Sequence, residues 1–159
     1  MNYKIAFLLV YLFFAGDVSS QRSEEFNRYS VKFPNESLVS IERENVITIG
    51  IKNNELVISE SKYSKKIYLN QSAKYYSEEK IYSSDFSPLD EISASSFNFI
   101  GGKYKRFKVS DFSKKDERSG SVFYDDVKSV NFYYAGLETG SKTELRWEKT
   151  IKNPRFFIL

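Results

Sequence analysis

Thr143-Glu144-Leu145-Arg146-Trp147-Glu148-Lys149-Thr150-Ile151 is the stretch that decides the fold class. Leu145, Trp147 and Ile151 alternate with Glu144, Arg146, Glu148 and Thr150, so one face is apolar and the other charged. An antiparallel sheet with one solvated side produces this pattern. Upstream, Ile47, Ile49 and Ile51 alternate with Thr48 and Gly50, and Leu56 and Ile58 alternate with Val57 and Ser59. Between these runs stands Lys52-Asn53-Asn54-Glu55. Asn tolerates the positive φ of a two-residue primed turn, so the segment predicts a β-hairpin.

Working outward, Lys66-Ile67-Tyr68-Leu69 and Lys80-Ile81-Tyr82-Ser83 read as further strands, with a helical turn or a loop over residues 72–79. Residues 91–100 are rich in Ser and Phe and end at the Gly101-Gly102 turn. A strand leaves from there, with Phe107 and Val109 on a core face and Arg106 and Lys108 opposite. Residues 113–120 read as charged and turn-like. Val130, Phe132 and Tyr134 share the face of the next strand, and residues 136–140 form the turn after it. Residues 21–36 read as a polar, weakly ordered leader. Many short strands, frequent turns and no long helical period predict an all-β fold, an antiparallel β-sandwich over residues 37–159.

The chain of 159 residues is 41% hydrophobic and holds 14 Phe, 12 Tyr and one Trp, too apolar for a disordered polypeptide, so one globular domain is expected. It has no Cys and no His. Disulfides, thiol nucleophiles, Cys/His zinc sites and imidazole catalysis are therefore outside the reach of these residues.

Residues 1–20 have the three parts of a secretory signal peptide: a start made positive by Lys4, an uncharged stretch over residues 5–16, and Val18 and Ser20 before a cut that leaves Gln21 first. As a helix that stretch rises about 18 Å, against a hydrocarbon core of about 30 Å, so no stable membrane anchor is expected. Export to the periplasm, cell surface or medium follows. An exported domain without disulfides suggests a bacterial envelope protein held by its core. The sequons at Asn35 and Asn70 read as chance.

Several motifs carry possible chemistry. Ser59/Lys62 and Ser77/Lys80 fit the S-x-x-K pattern of serine acyl-enzymes, but the S-D-N and K-T-G companions are absent. Gly136-Leu137-Glu138-Thr139-Gly140-Ser141-Lys142-Thr143 approaches a phosphate loop, yet Ser141 spoils the Gly-Lys spacing and a strand follows where a helix must begin. Asp125-Asp126 lacks the further oxygen ligands of a calcium loop. Residues 103–118 hold seven basic and three acidic side chains interleaved with Tyr104, Phe107 and Phe112. That is a single-strand nucleic-acid signature, outweighed by export and by strand alternation, so a solvated face is the reading and nucleic acid is not an expected partner. No catalytic, cofactor-binding or metal-ligating residue is expected. The alternative is a carbohydrate- or envelope-polymer-binding module, in which Trp147 with exposed Tyr and Phe forms a stacking platform and the basic stretch meets an anionic envelope polymer.

Six pieces lie in register: residues 81–88, 101–105, 108–112, 122–128, 136–142 and 151–157. In order and spacing they resemble the domain of unknown function that lies ahead of the transglutaminase-like core in exported bacterial proteins, matched here over residues 46–157. The resemblance implies an antiparallel β-sandwich with a non-catalytic accessory role, catalysis residing in a downstream papain-like core with its own Cys, His and Asp. It implies as partner a transglutaminase-like domain or a missing C-terminal part, with a protein, peptide or glycan ligand. Pro154-Arg155-Phe156-Phe157-Ile158-Leu159 then reads as an unfinished strand, leaving the sandwich incomplete at its C-terminal end, whether from a short gene or a longer protein.

Overall fold

The computed structural model describes residues 22–117 and 126–152. The elements run α1 (Glu24–Lys32), β1 (Leu38–Lys52), β2 (Glu55–Tyr68), a 3-10 turn (Gln71–Tyr76), β3 (Glu78–Ser83), β4 (Leu89–Ile100), β5 (Lys103–Lys108), β6 (Ser113–Asp116), β7 (Lys128–Tyr133) and β8 (Lys142–Ile151). They form two antiparallel sheets, a five-stranded one in the order β1-β2-β8-β4-β5 and a three-stranded one in the order β3-β7-β6. The fold is all-β and sandwich-like, as the alternation predicts. The expected signal peptide over residues 1–20 and the unfinished strand over residues 154–159 lie outside the described residues.

The hairpin forms where Asn53 and Asn54 stand. Their φ values are 53° and 65°, and Lys52 pairs with Glu55 across the turn. Asn accepts this left-handed region more readily than most residues, because its short amide can bond the local backbone. The hairpin is longer than its apolar ends suggest. Residues 60–65 carry Ser, Lys, Tyr and Glu on both faces, and they are held in β2 by the ladders to β1 and β8 on either side.

The strand at 143–151 becomes the middle of the larger sheet, with β2 and β4 as its neighbours. Leu145, Trp147 and Ile151 are buried. Leu145 and Trp147 join Ile81, Ala94, Val109, Phe132 and Tyr134 in the core between the sheets. The rings of Phe112, Phe132 and Tyr134 meet edge to face, Phe132 lying 5.2 Å from Phe112 and 5.4 Å from Tyr134. Polar members of β7 are buried too, but with partners: Asn131 Nδ2 donates to Ser129 Oγ, and Ser129 Oγ donates to Glu117.

Three expectations are corrected. Residues 24–32, read as part of a weakly ordered leader, form α1. Ser23 caps it by accepting from the Phe26 amide at 3.1 Å, and Glu24 and Glu25 occupy the positive first turn. Phe26, Tyr29 and Phe33 fall on one stripe and pack with Ile67, Leu69, Val39 and Ile41 on the side of the larger sheet away from the core. Residues 113–116, read as a charged turn, are strand β6, recruited by pairing with β7. Phe107, placed in the core by alternation, is 40% exposed, because the smaller sheet does not extend over it.

Gly140 lies in the β7–β8 turn beside the Phe26 ring, and its φ of 89° is a left-handed conformation that glycine adopts without strain. Lys142 links β8 to α1, its Nζ 2.8 Å from Glu25 and 3.7 Å from the centroid of the Tyr104 ring.

Candidate functional site

The sequence motifs separate once folded. Ser59 and Lys62 lie three apart on β2 and so project to opposite faces. Lys62 reaches over the Trp147 ring at 5.4 Å. Ser77 Oγ donates to the Lys74 carbonyl (2.8 Å), while Lys80 binds Glu117 (2.7 Å). Neither pair has the serine–lysine hydrogen bond that an acyl-enzyme needs.

In the 136–143 turn the polar groups point inward. Ser141 Oγ accepts from the Glu138 amide and donates to Asn98 Oδ1, and Asn98 Nδ2 donates to the Gly136 carbonyl. With Lys142 on Glu25, neither its ammonium nor these groups form a phosphate cradle. Asp125 lies outside the described residues, and Asp126 accepts from the Asp85 amide. Among the described residues, no group of three carboxylates gathers around a potential metal position. Asn70 caps the 3-10 turn by accepting from the Ser72 amide.

The basic stretch divides between β5 and β6. Tyr104 meets Phe99 edge to face and donates to the Gly140 carbonyl, and Phe112 packs at the core margin. Only Phe107 of its three aromatics is open. Trp147, the anticipated stacking residue, is 7% exposed and belongs to the core. Tyr68 and Tyr134 are buried as well. Burial pushes the Tyr68 phenol up to about 12 and raises that of Tyr134, so both stay neutral members of the core.

Of the hollows that indent the surface of the described residues, three bear on the choice of a site. One of about 420 Å³ crosses the outward face of the larger sheet between Glu42, Glu44, Tyr63, Arg106, Glu144 and Arg146. Much of its charge is already matched: Lys65 binds Glu144 at 3.3 Å, Arg146 lies over the Tyr63 ring, and Arg106 Nε donates to Ser95. A second, of about 530 Å³, opens at one end of the sandwich beside Pro88, Leu89, Ile92 and Phe112, with Asp85 and Lys128 at its mouth. The Lys128 ammonium holds the Asp85 carboxyl below the usual range.

The third hollow, of about 320 Å³, lies between β5 and β7 and is the best candidate site. Phe107 and the 64% exposed Tyr133 both line it, with Glu78, Ser110, Asp111 and Asn131 among them. Two open rings among carboxylate, amide, hydroxyl and ammonium groups, the last from Lys108 and Lys115, suit a ligand with apolar C–H faces and polar edges. Alternation concealed this site because it fixes the side of a strand on which Phe107 stands, without fixing how far the opposite sheet reaches. No local signal marks it, since charged neighbours on the opposite strand face flank a core aromatic as well, as Arg146 and Glu148 flank Trp147.

No family model and no curated protein matches the chain. Among solved structures it is similar to a putative protease from Parabacteroides distasonis, with 18% identity and a TM-score of 0.62 over 73% of this chain. The likeness covers 23% of that protein, so the present chain spans under a quarter of its length. At this identity the shared property is the fold, an antiparallel two-sheet architecture that also occurs as one portion of a much longer chain.

Proposed function

We propose that this chain is a non-catalytic accessory domain of an exported transglutaminase-like or protease-like system, holding a substrate or partner while a separate papain-like core performs the chemistry. The supporting observation is the shared architecture with a minor portion of a longer protein described as a protease. The lack of Cys and His is consistent with it, because a papain-like core needs both. The order of motifs over residues 46–157 supports a relationship to the domain that precedes transglutaminase-like cores. Export with cleavage after Ser20 belongs to the same proposal. It is tested by expressing the full chain in a bacterium and sequencing the N-terminus of the exported product. Gln21 is the expected first residue, and retention in the cytoplasm with Met1 intact refutes it. Purified product is expected to leave peptide amides and glutamine side chains unchanged. Turnover that persists through repurification and is lost in a Ser77→Ala variant contradicts the non-catalytic role.

A second reading, a glycan- or envelope-polymer-binding module, is favoured by the hollow shared by Phe107 and Tyr133. Titration with cell-wall oligosaccharides, followed by NMR, is expected to shift resonances of β5 and β7. Replacing either ring by Ala should weaken binding about tenfold, a loss of about 1.4 kcal/mol. Shifts confined to other surfaces, or affinity unchanged in both variants, reject this site.

A further inference from the structure

The two outer edges of the larger sheet are treated differently by the sequence. At one edge β5 carries Lys103, Lys105, Arg106 and Lys108, charges of the kind that discourage another strand from pairing. At the other edge β1 runs Asn45-Val46-Ile47-Thr48-Ile49-Gly50-Ile51 without a charge or proline. The β1 bulge lies at Ser40/Glu42, away from this segment. Ile49 and Ile51 are 61% and 79% exposed.

The turn sets which backbone groups are available. Across a two-residue hairpin the flanking pair, Lys52 and Glu55, is hydrogen-bonded, and bonded and non-bonded pairs then alternate along the ladder. Ile47, Ile49 and Ile51 therefore turn their N–H and C=O groups away from β2, toward the open edge. These are the residues whose side chains form the exposed stripe.

We propose that this edge is a homodimer interface in which β1 pairs antiparallel with β1 of a second copy, the two-fold axis passing beside Thr48. In that register Ile47 faces Ile49 of the second copy, and each such pair uses outward-facing backbone groups. Glu44 faces Lys52 of the second copy twice by symmetry, an opposite-charge match at each end of the pairing. Neither Glu44 nor Lys52 has an ion-pair partner among the described residues. The interface is isologous and closes at two copies, joining the larger sheets into one continuous sheet.

The absence of native cysteine makes a direct test possible. At the axis the two Thr48 residues form a non-hydrogen-bonded pair with Cα atoms about 4.5 Å apart, within disulfide range. The full chain is expected to sediment as a dimer. Thr48→Cys should oxidise to a covalent dimer at least tenfold faster than Tyr133→Cys, a control at another exposed strand position. Ile49→Lys and Ile51→Lys should each shift the equilibrium to monomer with the circular dichroism spectrum unchanged. The proposal is overturned by a monomer at every soluble concentration, by equal oxidation rates, or by a dimer that survives both lysine variants. A monomer whose β1 amides nevertheless resist hydrogen exchange also overturns it, since another segment of the same chain then covers the edge.

Discussion

Phe26 is the residue through which α1 holds to the sheet, with its ring against Ile67 and Leu69 and its helix capped by Ser23. Phe26→Ala is expected to destabilise the chain by about 3 kcal/mol, by removing a buried ring that the helix cannot fully close over. Urea unfolding followed through Trp147, the sole tryptophan, checks this, and a loss below about 1 kcal/mol would mean that α1 is dispensable. Glu117 makes a second residue-scale link, accepting from Lys80 of β3 and Ser129 of β7 just after β6 ends. These two hydrogen bonds, Lys80 first, hold its carboxyl below the usual range. A depressed carboxyl stabilises the fold above its ordinary pKa and loses that contribution as pH falls through the folded value. Stability should therefore decline with acid more steeply in the native chain than in Glu117→Gln. Parallel urea midpoints between about pH 7 and pH 3 would refute the link. The Phe26, Tyr29 and Phe33 stripe was present in the sequence at helical spacing, obscured by the polar residues around it. The exposure of Phe107 was not legible, because it depends on where a distant sheet ends.

The β1–β2 hairpin is the element most completely readable in advance. Period-two isoleucines and the Asn53-Asn54 pair specify it locally, without help from the rest of the fold. Asn54→Val places a β-branched residue at φ 65°, at a cost of about 1 kcal/mol. The arm amides of residues 47–58 are expected to exchange about fivefold faster, and unchanged exchange would show that the turn does not limit arm opening. Strands whose faces are both polar were not readable in this way. Residues 60–65 and 113–116 show little alternation, and their strand conformation comes from the ladders of β1, β8 and β7 alongside. Short elements of this kind are chosen by tertiary neighbours more than by propensity.

At the scale of the molecule, the sheet order places β8, late in the sequence, between β2 and β4. Alternation at 143–151 predicted one buried face for this strand. Its two neighbours were hidden, since pairings across so many residues leave no local mark. The accessory role proposed above would use the Phe107–Tyr133 hollow as its contact surface, the β1 edge being assigned to a second copy. The most direct test of that role is photocrosslinking in the native cell from probes at Phe107, Tyr133 and Tyr82, with crosslinked proteins identified by mass spectrometry. The account predicts crosslinks from Phe107 or Tyr133 to a protein carrying a papain-like Cys-His core, or to the substrate of such a protein. Crosslinks confined to proteins without a link to such a core, with none from the hollow, would contradict it.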